Sequence, residues 1–320
     1  MPEAVVWQWA VFAALVGGLL TLDLAVFHRR DRAASLAESA GWTAFWIATA
    51  VAFNSLVWWW RGGEQALAYL TGYVVEKALS MDNVFVFAVI FGFFGVPLKY
   101  QYRVLYWGIL GAIVLRLAFV LAGVELIQHF EWVLPAFGAL LIYAAVRLAW
   151  QADQEVEPER NPLLRLARRF LRVSRGDHRQ HGHAFLAREG GRLCITPMLL
   201  VLLVVESSDL MFAVDSIPAV FAITKDPFLV FTSNIFAILG LRALYFLLAG
   251  VIQRFRHLHY GLSAVLAFVG LNMTADYFWA EPDGHLMPTW AKLLVIAALL
   301  AVSMLTRTRD DGGGMRAERT

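Results

Sequence analysis

Two long apolar stretches of this chain contain carboxylates where a bilayer core would penalise them. Residues 67–94 hold Glu76 and Asp82, and residues 196–222 hold Glu206, Asp209 and Asp215. A hydrocarbon core of about 30 Å needs roughly 20 apolar residues per helix, and both stretches meet that length. An acid at the centre of such a helix costs roughly 2.5–3.5 kcal/mol on insertion scales, so five unpaired ones cost on the order of 10 kcal/mol. Cations or a transported ion must offset that cost.

The rest of the chain supports a membrane reading. Of 320 residues, 59% are hydrophobic and 16% charged, and the mean hydropathy is +0.60. A soluble domain is nearer 45–50% apolar and about 25% charged. Nine segments pass the length test, at about 5–27, 42–60, 67–94, 103–123, 130–150, 196–222, 228–251, 258–279 and 289–306. The expected fold is therefore an all-α, polytopic transmembrane helix bundle of about nine spans. Residues 1–306 form its single transmembrane domain, and 307–320 read as a disordered tail. The Met-Pro-Glu start has no basic n-region, so the first apolar run reads as a retained helix rather than a signal peptide.

Arginine sets the orientation. The connection at 151–193 holds nine Arg against six acids, and Arg-bearing connections alternate with Arg-poor ones along the chain. This places the N-terminus outside and the C-terminus in the cytoplasm of a plasma (inner) membrane. Within 151–193, Asn161-Pro162 reads as an N-cap and first helical position. Leu163, Leu166, Phe170 and Leu171 then recur at helical spacing among Arg165, Arg168, Arg169 and Arg172, which suggests a basic amphipathic helix on membrane lipid. His178, His181 and His183 could hold a metal by spacing, although a solvated loop explains them as well. The net charge of +2 implies no nucleic acid partner, and the single Cys194 excludes an intrachain disulfide.

A repeat is visible. Val74-Val75-Glu76 matches Val204-Val205-Glu206, and Glu206 follows Glu76 by 130 residues. Arg116, followed by Ala122-Gly123-Val124, matches Arg242, followed by Ala249-Gly250-Val251, with an offset of 126. Three spans separate equivalent positions, so spans 3–5 and 6–8 read as inverted three-helix repeats, with a site expected at their interface.

The carboxylates outnumber their obvious partners. Arg116, Arg242 and Lys77 can neutralise three, with the two arginines acting as countercharges. Glu76, Asp82, Glu206, Asp209 and Asp215 are the candidate metal ligands, with Asp23, Asn83, Ser216 and Asn234 as weaker ones. All five acids converge only if the helices break or if they form two successive sites. Pro218 and the Ser80-Met81-Asp82-Asn83 run are the expected breaks. An oxygen-only set suits Mg, Ca or Mn. Met81 and Met211 flank the acids as core filler or as thioether ligands.

Glu76-Lys77-Ala78-Leu79-Ser80-Met81-Asp82-Asn83-Val84-Phe85 resembles the first signature of the TerC family of integral membrane proteins. Glu206-Ser207-Ser208-Asp209 through Phe212-Ala213-Val214-Asp215-Ser216-Ile217-Pro218 resembles the second, and Thr232-Ser233-Asn234 to Arg242-Ala243-Leu244-Tyr245 the segment after it. The resemblance implies a lysine-exporter-like fold, manganese export, links to tellurium resistance and metal supply to secreted enzymes. It carries the family's acids onto Glu76, Asp82, Glu206, Asp209 and Asp215. Three places depart from the family pattern: Gly270-Leu271-Asn272-Met273, Arg147, and Phe170-Leu171-Arg172-Val173.

The expected function is export of a divalent metal ion, Mn2+, coupled to protons and without a cofactor. The alternative is a membrane scaffold with structural acids, for a tellurite-resistance or metal-handling complex. A homo-oligomer or a secreted-enzyme metallation partner fits either. No nucleophile with a partnered base is visible, so the chain does not read as an enzyme.

Overall fold

The computed structural model describes residues 6–27, 35–150, 161–174, 182, 184–189, 191–248, 258–280 and 286–305. The His178/His181/His183 cluster and the tail from Thr306 lie outside them. The chain is an all-α polytopic bundle. Its helices are α1 (Val6–Phe27), α2 (Leu36–Arg61), α3 (Gly63–Phe93), α4 (Leu98–His129), α5 (Val133–Trp150) and α6 (Pro162–Phe170). A hairpin of β1 (Leu186–Glu189) and β2 (Arg192–Ile195) follows. Then come α7 (Pro197–Phe221), α8 (Pro227–Leu239), α9 (Leu241–Leu248), α10 (Leu258–Trp279) and α11 (Thr289–Leu305).

Among the described residues, each of the nine expected segments falls on helix, with the segment from 228 divided at Gly240. Length and apolar content qualify seven as spanning: α1, α2, α4, α5, α7, α8–α9 taken together, and α10. The 31-residue α3 carries Glu64, Glu76, Lys77 and Asp82, and α11 has 17 residues.

Two expected helix breaks are absent. The α3 helix runs uninterrupted through Ser80–Asn83. Ser80 is fully buried and its Oγ has no hydrogen-bond partner, so it does not draw the backbone away from the helix. The α7 helix runs through Pro218 to Phe221, although the proline has no N–H to donate to the Val214 carbonyl.

The break lies elsewhere, at Gly240 between α8 and α9. A Cβ at Gly240 would come within 2.9 Å of Lys77 Nζ and 3.0 Å of Trp46 Cβ. Carbonyls in the last turn of a helix lack intrahelical partners. Lys77 Nζ supplies one, donating to the Ala237 oxygen at 3.2 Å. The expected role of Lys77 as a countercharge is thus partly taken up by a helix end.

Close approaches fix the bundle. The α5 and α10 helices meet backbone to backbone, and a Cβ on Gly270 would fall 2.8 Å from the Gly138 oxygen. Small residues at helix contacts allow this in membranes. Ser263 Oγ donates across the same contact to the Ala145 oxygen at 2.7 Å. Polar ties join the ends. Arg61 pairs with Asp226, which also caps α8 by accepting from Phe228 N at 2.8 Å, and Arg61 Nη2 donates to Gln8 at 2.9 Å. Lys292 pairs with Asp276 at 3.0 Å, joining α11 to α10.

The interior divides into two hydrophobic clusters. In α3 the first ends at Val75 and the second begins at Val84. In α7 the second ends at Val205 and the first resumes at Ala213. Glu76, Lys77, Asp82, Glu206 and Asp209 all fall in the gap, forming a polar waist across the bundle.

Candidate functional site at the polar waist

The centre of the waist is Arg116. Its helix, α4, packs against α7 and α8, which brings a guanidinium from one half of the chain onto groups from the other. Arg116 Nη1 stands 2.6 Å from Glu76 Oε1, and both side chains are buried. The same nitrogen donates to Ser216 Oγ at 3.1 Å and to the Asn234 side-chain oxygen. Asn234 is held in turn, its Nδ2 donating to the Val230 oxygen at 2.8 Å.

Glu76 has no exposed surface, and neither of its oxygens accepts an aligned hydrogen bond. Its link to Arg116 is therefore a charge contact, and Oε2 is free to accept. Asp209 is buried one turn beyond Glu206, and neither makes a hydrogen bond or ion pair among the described residues. The charges of Arg116, Glu206 and Glu76 all act on Asp209. A narrow cavity touches Asp209, bounded by Gly108, Ala112, Val205, Ile238 and Arg242.

The other candidates are dispersed, each toward its own cation. Asp23 pairs with Arg242. Asp82 Oδ1 stands 3.1 Å from His259 Nδ1 on α10. Asp215 is half-buried within electrostatic reach of Arg147 on α5. Asn83 is buried beside the waist. Met211 is 55% exposed, and Met81 packs on the second cluster.

Among the described residues, no three His, Cys, Asp or Glu side chains stand close enough to hold one ion. The waist holds a separated set of acids around one guanidinium rather than a formed cage. Sequence reasoning missed His259, because it begins a different helix from the acids and only folding brings it to Asp82. It also missed Gly111. The Glu206 carboxylate lies over the bare Cα of that residue, where a Cβ would overlap both oxygens.

A polytopic bundle whose apolar interior holds acids, a central arginine and a broken helix defines a multi-pass membrane protein with buried charged groups. Residues 61–311 match the model of the integral membrane protein TerC family, and the chain belongs to that family. It is 48% identical over 297 residues to the uncharacterized membrane protein STKORF319 of Myxococcus xanthus, covering 93% of this chain and 90% of that one. It is 45% identical over 315 residues to the putative membrane-bound redox modulator Alx of Escherichia coli K12, covering 96% and 97%. It is 44% identical over 309 residues to the Alx of Salmonella typhi, covering 94% and 93%. No solved structure matches the chain.

Proposed function

We propose that this chain exports a divalent cation, manganese, in exchange for protons, and that Glu76, Glu206 and Asp209 are its central ligands. The observation that carries the reading is the charge at the waist: four carboxylates, Glu76, Asp82, Glu206 and Asp209, against two cations, Arg116 and Lys77. When ionised they leave two negative charges in an apolar interior, which one dication or two protons can neutralise. Carboxylate oxygens with Asn234 and Ser216 nearby suit a hard cation.

In this reading Arg116 stands in for the ion. It holds Glu76 when no cation is present, and a dication entering between Glu76, Glu206 and Asp209 takes over that contact. Asp82 and Asp215 would serve as successive stations on either side of the centre. The break at Gly240 and its Lys77 clamp supply a place for the pathway to change shape.

An inverted repeat fits this scheme and has support beyond the matched motifs. The α3 helix packs on α8 as α7 packs on α4, the exchange expected of equivalent helices. Gly138 and Gly270, which touch, are 132 residues apart, close to the 130 and 126 of the motifs. The redox role in the relatives' name finds no dithiol here, since Cys194 is the only cysteine.

Proteoliposomes with a manganese-sensitive dye inside test the proposal. Purified protein should admit manganese, a pH gradient should change the rate, and Asp209→Asn should bring it to that of protein-free vesicles. Flux no faster than in empty vesicles would favour the scaffold reading. For the orientation, Phe170→Cys in a Cys194→Ser background should resist an impermeant thiol reagent in intact cells. Labelling from outside would reverse the topology.

A further inference from the structure

The helix α6 and the β hairpin form one unit that packs on α7. Ile195 N donates to the Arg172 oxygen at 2.8 Å and Ser174 N to the Ile195 oxygen at 2.8 Å, so the chain after α6 is strapped to β2. Leu164 and Ala167 bury one face of α6 in the second hydrophobic cluster, which fixes the helix on the bundle.

The opposite face is exposed and has two characters. Leu166 and Phe170, one turn apart, are 53% and 71% exposed, and Leu171, Leu186 and Leu193 are exposed beside them. The described residues of the unit carry Arg165, Arg168, Arg169, Arg172, Arg188 and Arg192 against one acid, Glu189. Glu189 is engaged by the Ser174 hydroxyl. Exposed apolar side chains among arginines match a bilayer surface with anionic headgroups.

Asn161 links the start of this helix to the waist. Asn161 Oδ1 caps α6, accepting from Leu163 N at 2.9 Å and Leu164 N at 3.2 Å. Its Nδ2 donates to Ser207 Oγ at 2.7 Å, and Ser207 adjoins Glu206 on α7. The bond ties the N-cap of α6 to the turn of α7 that carries Glu206 and Asp209.

We propose that the α6–hairpin unit docks on anionic phospholipid headgroups and that the Asn161–Ser207 bond passes its position to the acid-bearing turn of α7. Docking does not depend on which ion the waist carries. Each basic side chain near an anionic leaflet contributes roughly fivefold in affinity, and salt screens it.

The test is amide hydrogen exchange on the full chain in nanodiscs of phosphatidylcholine, with and without phosphatidylglycerol. Residues 163–171 should exchange severalfold more slowly in the anionic discs, and added salt should remove the difference. Arg168→Gln/Arg169→Gln should abolish it. Equal exchange in both lipids, or protection that survives in this variant, overturns docking. So does protection of α6 by a soluble cytosolic protein and not by phosphatidylglycerol. Exchange at residues 204–209 should follow the lipid as well. Ser207→Ala leaves the α6 cap intact, and should keep the effect on α6 while losing it at 204–209. If 204–209 still follows the lipid in Ser207→Ala, the link is wrong.

Discussion

The carboxylate of Glu206 lies directly over Gly111, so this α7 side chain rests on the bare backbone of α4. Glycine at 111 leaves room for the acid head, and any larger residue must move it. Gly111→Ala is predicted to displace the Glu206 carboxylate without unfolding the helix pair, because the overlapped atoms are the tip of a flexible side chain. Manganese affinity should fall about 10–100-fold, the range seen when a residue that orients a ligand is changed. Calorimetric titration checks the affinity and a thermal melt checks the fold. Unchanged affinity would take Glu206 out of the ion site.

Arg116 is the only cation in ion-pair contact with Glu76 among the described residues. Removing one partner of a buried pair leaves an uncompensated charge and costs about 3–5 kcal/mol. Arg116→Gln should therefore lower the melting temperature in detergent, and Arg116→Gln/Glu76→Gln should recover most of the loss. If the double variant melts as low as the single, the guanidinium acts through Asn234 and Ser216 instead.

The class of fold could be read from the chain because bilayer thickness fixes helix length, and every expected segment falls on helix among the described residues. The break at Gly240 could not. Ser80–Asn83 and Pro218 are stronger local signals than a lone glycine, yet packing overrides them. Gly240 matters because Lys77 and Trp46, far away in sequence, crowd it. The partition of the acids was equally hidden. Charge counting marks Arg116 and Arg242 as countercharges but cannot say which acid each takes, since that depends on helix packing. Asp23 answers Arg242 from the first helix, and His259 reaches Asp82 from the start of α10.

Lys77 offers a test of the broken helix. Its Nζ is the donor to the Ala237 carbonyl at the end of α8. Lys77→Met keeps much of the side-chain bulk and leaves that buried acceptor unpaired, at about 1–3 kcal/mol. Amides on either side of Gly240 should exchange faster in this variant, while those of the distant α5–α10 contact stay as they were. Uniform change throughout the bundle would mean that Lys77 supports general stability rather than the break.

The two classes of acid should fail in opposite ways. Asp209 is buried without a hydrogen bond or ion pair among the described residues, and the nearby Arg116 charge only partly offsets the cost of burying it. Asp23 is committed to Arg242, and neutralising it removes the carboxylate from a buried ion pair. Asp209→Asn keeps the shape and one oxygen, and removes the charge a dication needs. It should accumulate normally, melt at or above the unmodified protein, and lose protection of cells against excess manganese. Asp23→Asn should melt lower, by an amount matching the loss of a buried pair. The fraction that folds should still bind manganese with unchanged affinity. Melting curves and manganese titrations on both purified variants separate the cases. If Asp209→Asn binds manganese as the unmodified protein does, Asp209 is not a ligand and the central site must be redrawn without it. If Asp23→Asn is stable but no longer binds, Asp23 belongs in the ion path and its pairing with Arg242 is a resting contact.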